Sequence, residues 1–189
     1  AGAERLEAVV KASNAALRIN PRNSRALNYL GIALRRLKRF EEALATWQRA
    51  IEVEPGAFDT WSNLGTMYAL TGNIEKAEEC IRKGAALAGV AEDRWHAAAW
   101  RNLAVLELFL KKPDAEKHLA TAIKCGPSES KSWVLRAKMN LERASFEEAL
   151  DDAKHADRMG EFQDPLAKRV RALAHLARGE LDAAVEQAT

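Results

Sequence analysis

Apolar residues recur every three or four positions in short runs along this chain, and brief polar stretches separate the runs. Leu27, Leu30, Leu34 and Leu37 form one run; Lys38 and Arg39 interrupt it. Phe40, Ala43, Leu44, Trp47, Ala50 and Ile51 form the next, closed by Pro55-Gly56. This spacing places apolar side chains on one face of an α-helix. Proline ends a helix because it lacks an N–H and restricts the residue before it. Two helices joined by so short a turn must lie antiparallel with their apolar faces together. The plan returns in Trp61, Leu64, Gly65 and Tyr68, a Thr71-Gly72-Asn73 turn, then Ile74, Ala77, Ile81 and Gly84.

The recurrence has a fixed length. Gly31 and Gly65 lie 34 residues apart, as do Leu30 and Leu64, Ala43 and Ala77, and Ala50 and Gly84. A third copy runs from Trp100 through Leu103, Ala104, Ala115, Leu119 and Ala122 to Pro127. A fourth holds Trp133, Ala137, Phe146, Ala149 and Ala156, and a fainter fifth holds Ala172, Gly179, Leu181 and Ala184. Val9 to Pro21 reads as the second helix of an earlier copy. The interval from Pro21 to Gly31 recurs from Pro55 to Gly65 and from Pro127 to Ala137. A period of this length predicts stacked helical hairpins. Gly or Ala in the first helix lets the second approach closely, and Trp47, Trp61, Trp100 and Trp133 are expected to fill the core around these small residues.

On these residues the chain resembles the tetratricopeptide repeat family. That pattern is an aromatic, Leu-Gly and Tyr in the first helix, then Ala, an aromatic, Ala and Pro in the second. Leu27, Leu30-Gly31, Leu34, Ala43, Trp47, Ala50 and Pro55 carry it in one unit, and Trp61, Leu64-Gly65, Tyr68 and Ala77 in the next. The second unit departs from it, with Ile81 for the aromatic and no terminal Pro. The resemblance implies an all-α fold, a right-handed α-α superhelix of stacked antiparallel helix pairs. The expected organisation is a single array over 1–189. Residues 1–21 supply the second helix of a partial repeat; 24–57, 58–91, 97–128 and 130–163 are repeats; 165–189 is a partial repeat. An array that starts and stops inside a unit is expected either to continue on both sides or to self-associate through its incomplete terminal repeats.

The pattern breaks in four places. Trp61 and Trp100 are 39 residues apart, five more than the period. The extra material between Gly84 and Ala99 is a longer loop or an extended first helix, or else it projects Trp95 and His96 toward a partner. Glu107 stands where the pattern expects Tyr, so that place is expected to be partly exposed or matched by a basic neighbour. In Lys111-Lys112-Pro113-Asp114 the turn is one residue short, with Pro113 suited to the first position of the second helix. Arg136, in place of Leu, predicts looser packing or exposure in the fourth unit.

Composition adds few constraints. Ala and Leu outnumber Val, Ile and Tyr, which favours helix. Lys and Arg total 29 against 27 Asp and Glu, a formal charge of +2 that gives no support to a nucleic-acid partner. No run of eighteen apolar residues occurs, so direct membrane insertion is not expected. With no secretory leader at the start, the expected setting is cytoplasmic. Cys80 and Cys125 lack metal-ligand spacing and are expected to be buried reduced thiols. His96, His118, His155 and His175 are dispersed and read as surface or helix-end histidines. Acidic residues recur at the starts of second helices (Glu41-Glu42, Glu75, Glu147-Glu148), where they complement the helix dipole. The sequence shows no catalytic constellation, no metal set and no cofactor motif; the expectation is not an enzyme.

Function is therefore sought on a surface. In the family the first helices line the concave face. The non-packing positions there are Arg25, Asn28, Ile32 and Arg35; Asp59, Ser62, Asn63 and Thr66; Arg101, Asn102 and Val105; Lys131, Val134, Leu135 and Lys138. From these, Arg25, Asn28, Arg35, Asn63, Thr66, Arg101, Asn102, Lys131 and Lys138 are the candidate peptide-binding groove. Asn63 and Asn102 occupy equivalent places and carry donors and an acceptor suited to an extended backbone, or are simply the common residue there. The five cations bias the groove toward an acidic or extended segment. A carboxylate clamp known in the family finds matches at Asn102 and Lys131 but not at Ser62, Thr66 or Leu135. The expected function is a non-catalytic scaffold binding a protein or peptide partner. The alternative is an accessory arm of a larger enzyme or membrane-associated assembly complex.

Overall fold

A computed structural model of the chain describes residues 2–89, 93–159 and 165–188. Eleven α-helices are found among these residues. They fall into two compact units, residues 1–89 and 90–189.

The first unit contains α1 (Gly2–Ile19), α2 (Ser24–Arg36), α3 (Phe40–Val53), α4 (Phe58–Leu70) and α5 (Ile74–Ala88). Helices α2 and α3 pair, as do α4 and α5; α1 packs on α2, and α3 on α4. Trp47 is fully buried, and its indole occupies the space opposite Gly31. A Cβ on Gly31 would lie 2.5 Å from that ring, and one on Gly65 would lie 2.5 Å from Ile81. The small residue in each first helix is thus the seat of a large one from the second.

The second unit contains α6 (Arg94–Phe109), α7 (Ala115–Cys125), α8 (Ser130–Glu142), α9 (Phe146–Met159), α10 (Pro165–Ala177) and α11 (Leu181–Ala188). Its pairs are α6/α7, α8/α9 and α10/α11, with α8 touching both α6 and α10. Its core is rich in alanine: Ala137, Ala149, Ala153, Ala156 and Ala167 are all wholly buried.

All five pairs turn in the same way. After the first helix one residue takes a left-handed backbone: Lys38 (φ 62°), Gly72 (83°), Lys111 (54°), Ala144 (61°) and Gly179 (78°). The next N–H then reaches back five residues. Arg39 donates to the Leu34 carbonyl at 2.9 Å, Asn73 to Tyr68 at 2.9 Å, and Lys112 to Glu107 at 2.8 Å. Ser145 donates likewise to Asn140, and Glu180 to His175, each at 2.9 Å. This is the Schellman closure, which satisfies carbonyls that a helix end leaves open.

The prolines that end second helices have their carbonyls capped from a neighbouring helix. The Trp61 indole N–H donates to Pro55 at 2.8 Å and that of Trp133 to Pro127 at 2.7 Å. The Pro21 carbonyl accepts instead from Arg49, at 2.7 Å. Trp61 and Trp133 are consequently only half-buried; Trp100 is half-buried too, and Trp47 alone of the four is sealed in the core as expected. An indole that reaches a rim carbonyl cannot also sit at the centre of the layer.

One other expectation changes, and one set of alternatives is resolved. Helix α7 begins at Ala115 with Asp114 as its cap, so Pro113 lies outside the helix rather than at its first position. The additional residues before Trp100 lengthen α6, which has 16 residues against 13 in α2, α4, α8 and α10. Asp93 caps that extension, accepting from the N–H groups of Trp95 and His96 at 2.7 and 3.1 Å. Trp95 is 59% exposed on it. Residues 90–92 lie outside the described residues. Among those described, no helix is long and apolar enough to cross a membrane.

Candidate functional site

The first helices of the first unit contribute Arg25, Asn28 and Arg35 from α2, and Asn63 and Thr66 from α4. Asn28 faces inward and is 8% exposed. Its amide oxygen accepts from the Trp47 indole at 2.9 Å and from the Asn63 amide at 3.0 Å, while its NH2 donates to Asp59 at 2.6 Å. Asn28 therefore orients the core tryptophan, and Asn63 is drawn onto it. The Thr66 hydroxyl donates to the Ser62 carbonyl of its own helix at 2.8 Å. Arg25 is exposed and Arg35 half-buried. Burial, reinforced by the charge of Arg36, pulls the Arg35 guanidinium below its usual pKa.

In the second unit Arg101 and Asn102 lie on α6, and Lys131 and Lys138 on α8. The Arg101 guanidinium pairs with Glu129, which also accepts from the Ser132 N–H at 3.0 Å and so caps α8. Arg101 is thus spent on joining α6 to α8 and adds little to the positive field. Lys131 and Lys138 are exposed; Lys138 lies 3.7 Å from Glu142, a solvent-screened pair of small value. Along the same face of α6, Val105 is 48% and Phe109 71% exposed. Phe109 was not among the positions read from the sequence. Its place seven residues beyond Asn102, two helical turns on, is the signal that would have found it.

Ser62, Val134 and Asn28 were expected on an open face but are buried, at 5%, 3% and 8%. First helices touch one another, α2 with α4 and α8 with both its neighbours, so the open strip on each is narrower than a single hairpin suggests.

Charged residues that break the repeat pattern turn out to be paired inside hairpins. Glu107 is fully buried, and its carboxylate lies 2.6 Å from Nδ1 of His118. Of the two expectations for Glu107, a basic match holds and partial exposure does not. His118 lies at a helix end, in the first turn of α7, but does not stand free on the surface: it stacks on Trp100, with ring centroids 5.4 Å apart. His155 packs on Trp133 with centroids 4.2 Å apart, its ring tilted by 40°. In the next hairpin the carboxylate sits on the second helix instead. Arg136 on α8 holds the buried carboxylate of Asp152 on α9 through two bonds of 2.9 and 2.6 Å, with Asn140 adding a third at 3.0 Å. Arg136 also covers the Trp133 ring, its Cζ 4.6 Å from the centroid. It tightens the unit that it was expected to loosen.

Comparison with known proteins follows from this geometry. Residues 24–56, 58–89 and 165–188 each match a family model described as Tetratricopeptide repeat. The Tetratricopeptide repeat-containing protein trd-1 of Caenorhabditis elegans is 28% identical over 130 residues, which are 68% of this chain and 16% of trd-1. Among solved structures, the Cut9-Hcn1 hetero-tetramer of the APC/C is similar with a TM-score of 0.84 at 14% identity, covering 97% of this chain and 36% of that one. YrrB, described as a TPR protein with an unusual peptide-binding site, is similar with a TM-score of 0.62 at 16% identity, covering 94% and 89%. With helix pairs, seats for large residues and reversals all repeating in step, the chain belongs to the tetratricopeptide repeat family.

Proposed function

We propose that this chain is a protein-interaction scaffold whose first helices hold a peptide-like segment of a partner, the segment being acidic and carrying apolar anchors. The observation that carries this reading is the face of α6 and α8. Val105 and Phe109 stand exposed beside Asn102, and Lys131 and Lys138 stand exposed on the adjoining helix. Large apolar side chains in water next to exposed cations favour a ligand that brings both apolar surface and negative charge. In the first unit, taken by itself, Arg25 stands exposed, while Asn28 and Asn63 serve the core. YrrB is described as having a peptide-binding site, which agrees with a peptide ligand. The repeats form a single array in this reading. A second reading, an accessory arm of a larger enzyme or assembly complex, draws on the 16% share of trd-1 that the match spans.

Binding of a fluorescent acidic peptide with aromatic and leucine anchors tests the first reading. Lys131→Glu with Lys138→Glu is the informative variant, because Arg101→Glu would also remove the cap partner of α8. About tenfold weaker binding is expected, with Lys117→Glu plus Lys124→Glu as the charge-matched control. Equal affinity in the variant and the wild type would remove this face from consideration.

A further inference from the structure

Two clefts on the other side of the first unit, along its second helices, are the same cleft repeated. One has a volume of about 590 Å³ and lies among α1, α2 and α3; the other, of about 380 Å³, lies among α3, α4 and α5. Each floor residue has a counterpart 34 positions on: Leu17 and Ile51, Leu27 and Trp61, Leu30 and Leu64. The rims correspond too, Asn14 with Gln48 and Thr46 with Cys80. Their charge does not. The first cleft carries Arg18 and Arg49, both exposed, with no carboxylate paired to either among the described residues. At the place of Arg18 the second cleft has Glu52, and at that of Ala45 it has Glu79. Its cation Lys76 sits over the Tyr68 ring, 5.5 Å from the centroid.

We infer that this face is a second docking surface, for a polypeptide segment with two apolar side chains, one flanked by a carboxylate and the other by an ammonium or guanidinium group. The floors are apolar and recessed, so they require side chains that protrude into them. Between the clefts α3 presents Ala45, Gln48, Arg49 and Glu52. None of these is a large apolar group, so a second copy of this ridge would leave the clefts empty. A partner segment fills them. Opposite charges on the two rims fix which end of the segment enters which cleft. The two clefts lie one 34-residue repeat apart, so one segment reaches both only with a spacer between its two apolar side chains. The surface is distinct from the α6–α8 face and does not depend on it.

The probe is a labelled peptide of Glu-Leu, a short serine spacer and Leu-Lys, followed by fluorescence anisotropy on the full chain. Arg18→Glu alone, and then with Arg49→Glu, should weaken it, the pair about tenfold; the single variant keeps the Arg49 bond to the Pro21 carbonyl, and circular dichroism checks the helix in both. A peptide with Lys in place of the Glu should recover that loss on the variant and bind the wild type poorly. The control is Lys117→Glu plus Lys124→Glu, which should leave affinity unchanged. Absence of binding to the wild type, or affinity indifferent to the Arg18 and Arg49 reversals, would overturn the inference. So would sedimentation showing that the unliganded chain dimerises and that the same reversals abolish the dimer, since the occupant would then be a second copy.

Discussion

Glu107 and His118 face each other across the α6/α7 hairpin with 2.6 Å between carboxylate and imidazole, and the carboxylate has no exposure to solvent. A buried pair of this kind is worth less than it costs to break. Replacing His118 by Phe keeps the stack on Trp100 but strips a bond from a buried carboxylate. A loss of about 3 kcal/mol is expected from urea unfolding. Combining it with Glu107→Leu should restore most of that loss, because two apolar groups need no compensation. If the double variant is as unstable as the single one, packing rather than polarity governs the site.

Gly31 and Trp47 define a second test. Alanine at position 31 would bring a methyl to 2.5–2.8 Å from the indole, against a helix-propensity gain of about 1 kcal/mol. Overpacking costs about 1–3 kcal/mol, so Gly31→Ala should be net destabilising by about 1 kcal/mol. Gly56→Ala, with nothing within 4 Å of the added methyl, should be neutral. Equal thermal midpoints for both variants and the wild type would show that α3 shifts freely.

Three of the five reversals place a side chain in the left-handed region, at Lys38, Lys111 and Ala144. That conformation costs an L-residue about 1–2 kcal/mol, partly offset by glycine's greater freedom when unfolded. Lys38→Gly and Ala144→Gly should each stabilise the chain by about 0.5–1 kcal/mol, read as a higher denaturant midpoint with unchanged slope. Neither side chain has a bond that the change removes. A drop in midpoint would show that the turn is held by contacts outside the backbone.

Cys80 is buried, and burial pushes its thiol up from its ordinary range near 9.0 to about 11, Glu79 adding to the rise. At pH 8 the thiolate fraction is then about a hundredfold lower than for an unperturbed thiol, and iodoacetamide should modify the native residue correspondingly slowly. The raised value makes the neutral form the favoured one in the fold. Its contribution is therefore intact below about pH 9 and is lost as pH rises toward about 11. Alkylation of Cys80 at equal rates in native and urea-unfolded protein would contradict this placement.

Much of the fold could be read from the sequence because the residues that set it act locally. Gly31, Ala43 and Ala50 recur at fixed offsets since each solves a contact within its own hairpin or with the next. Asn28, Glu107 and Arg136 could not be read in this way. Their partners are 19, 11 and 16 residues off, on the opposite helix, and no single position shows that Trp47 needs an acceptor or Asp152 a cation. A polar residue on a first helix looks the same in sequence whether it faces a ligand or an indole. Phe109 was missed for a related reason: an apolar residue at a helix end is read as core unless its angular position is counted from its neighbours.

The uniform reversal has a consequence for how such a chain can change. Since the left-handed residue and its two back-bonds recur in all five hairpins, the joint is indifferent to which hairpin precedes or follows it. One hairpin can in principle be excised or duplicated as a cassette without inventing a new corner. Novelty is then free to accumulate in what the hairpins carry, as the carboxylate on the first helix in Glu107–His118 and on the second in Arg136–Asp152 already illustrates. The corner is the inherited grammar of this protein, and the buried pairs are its vocabulary.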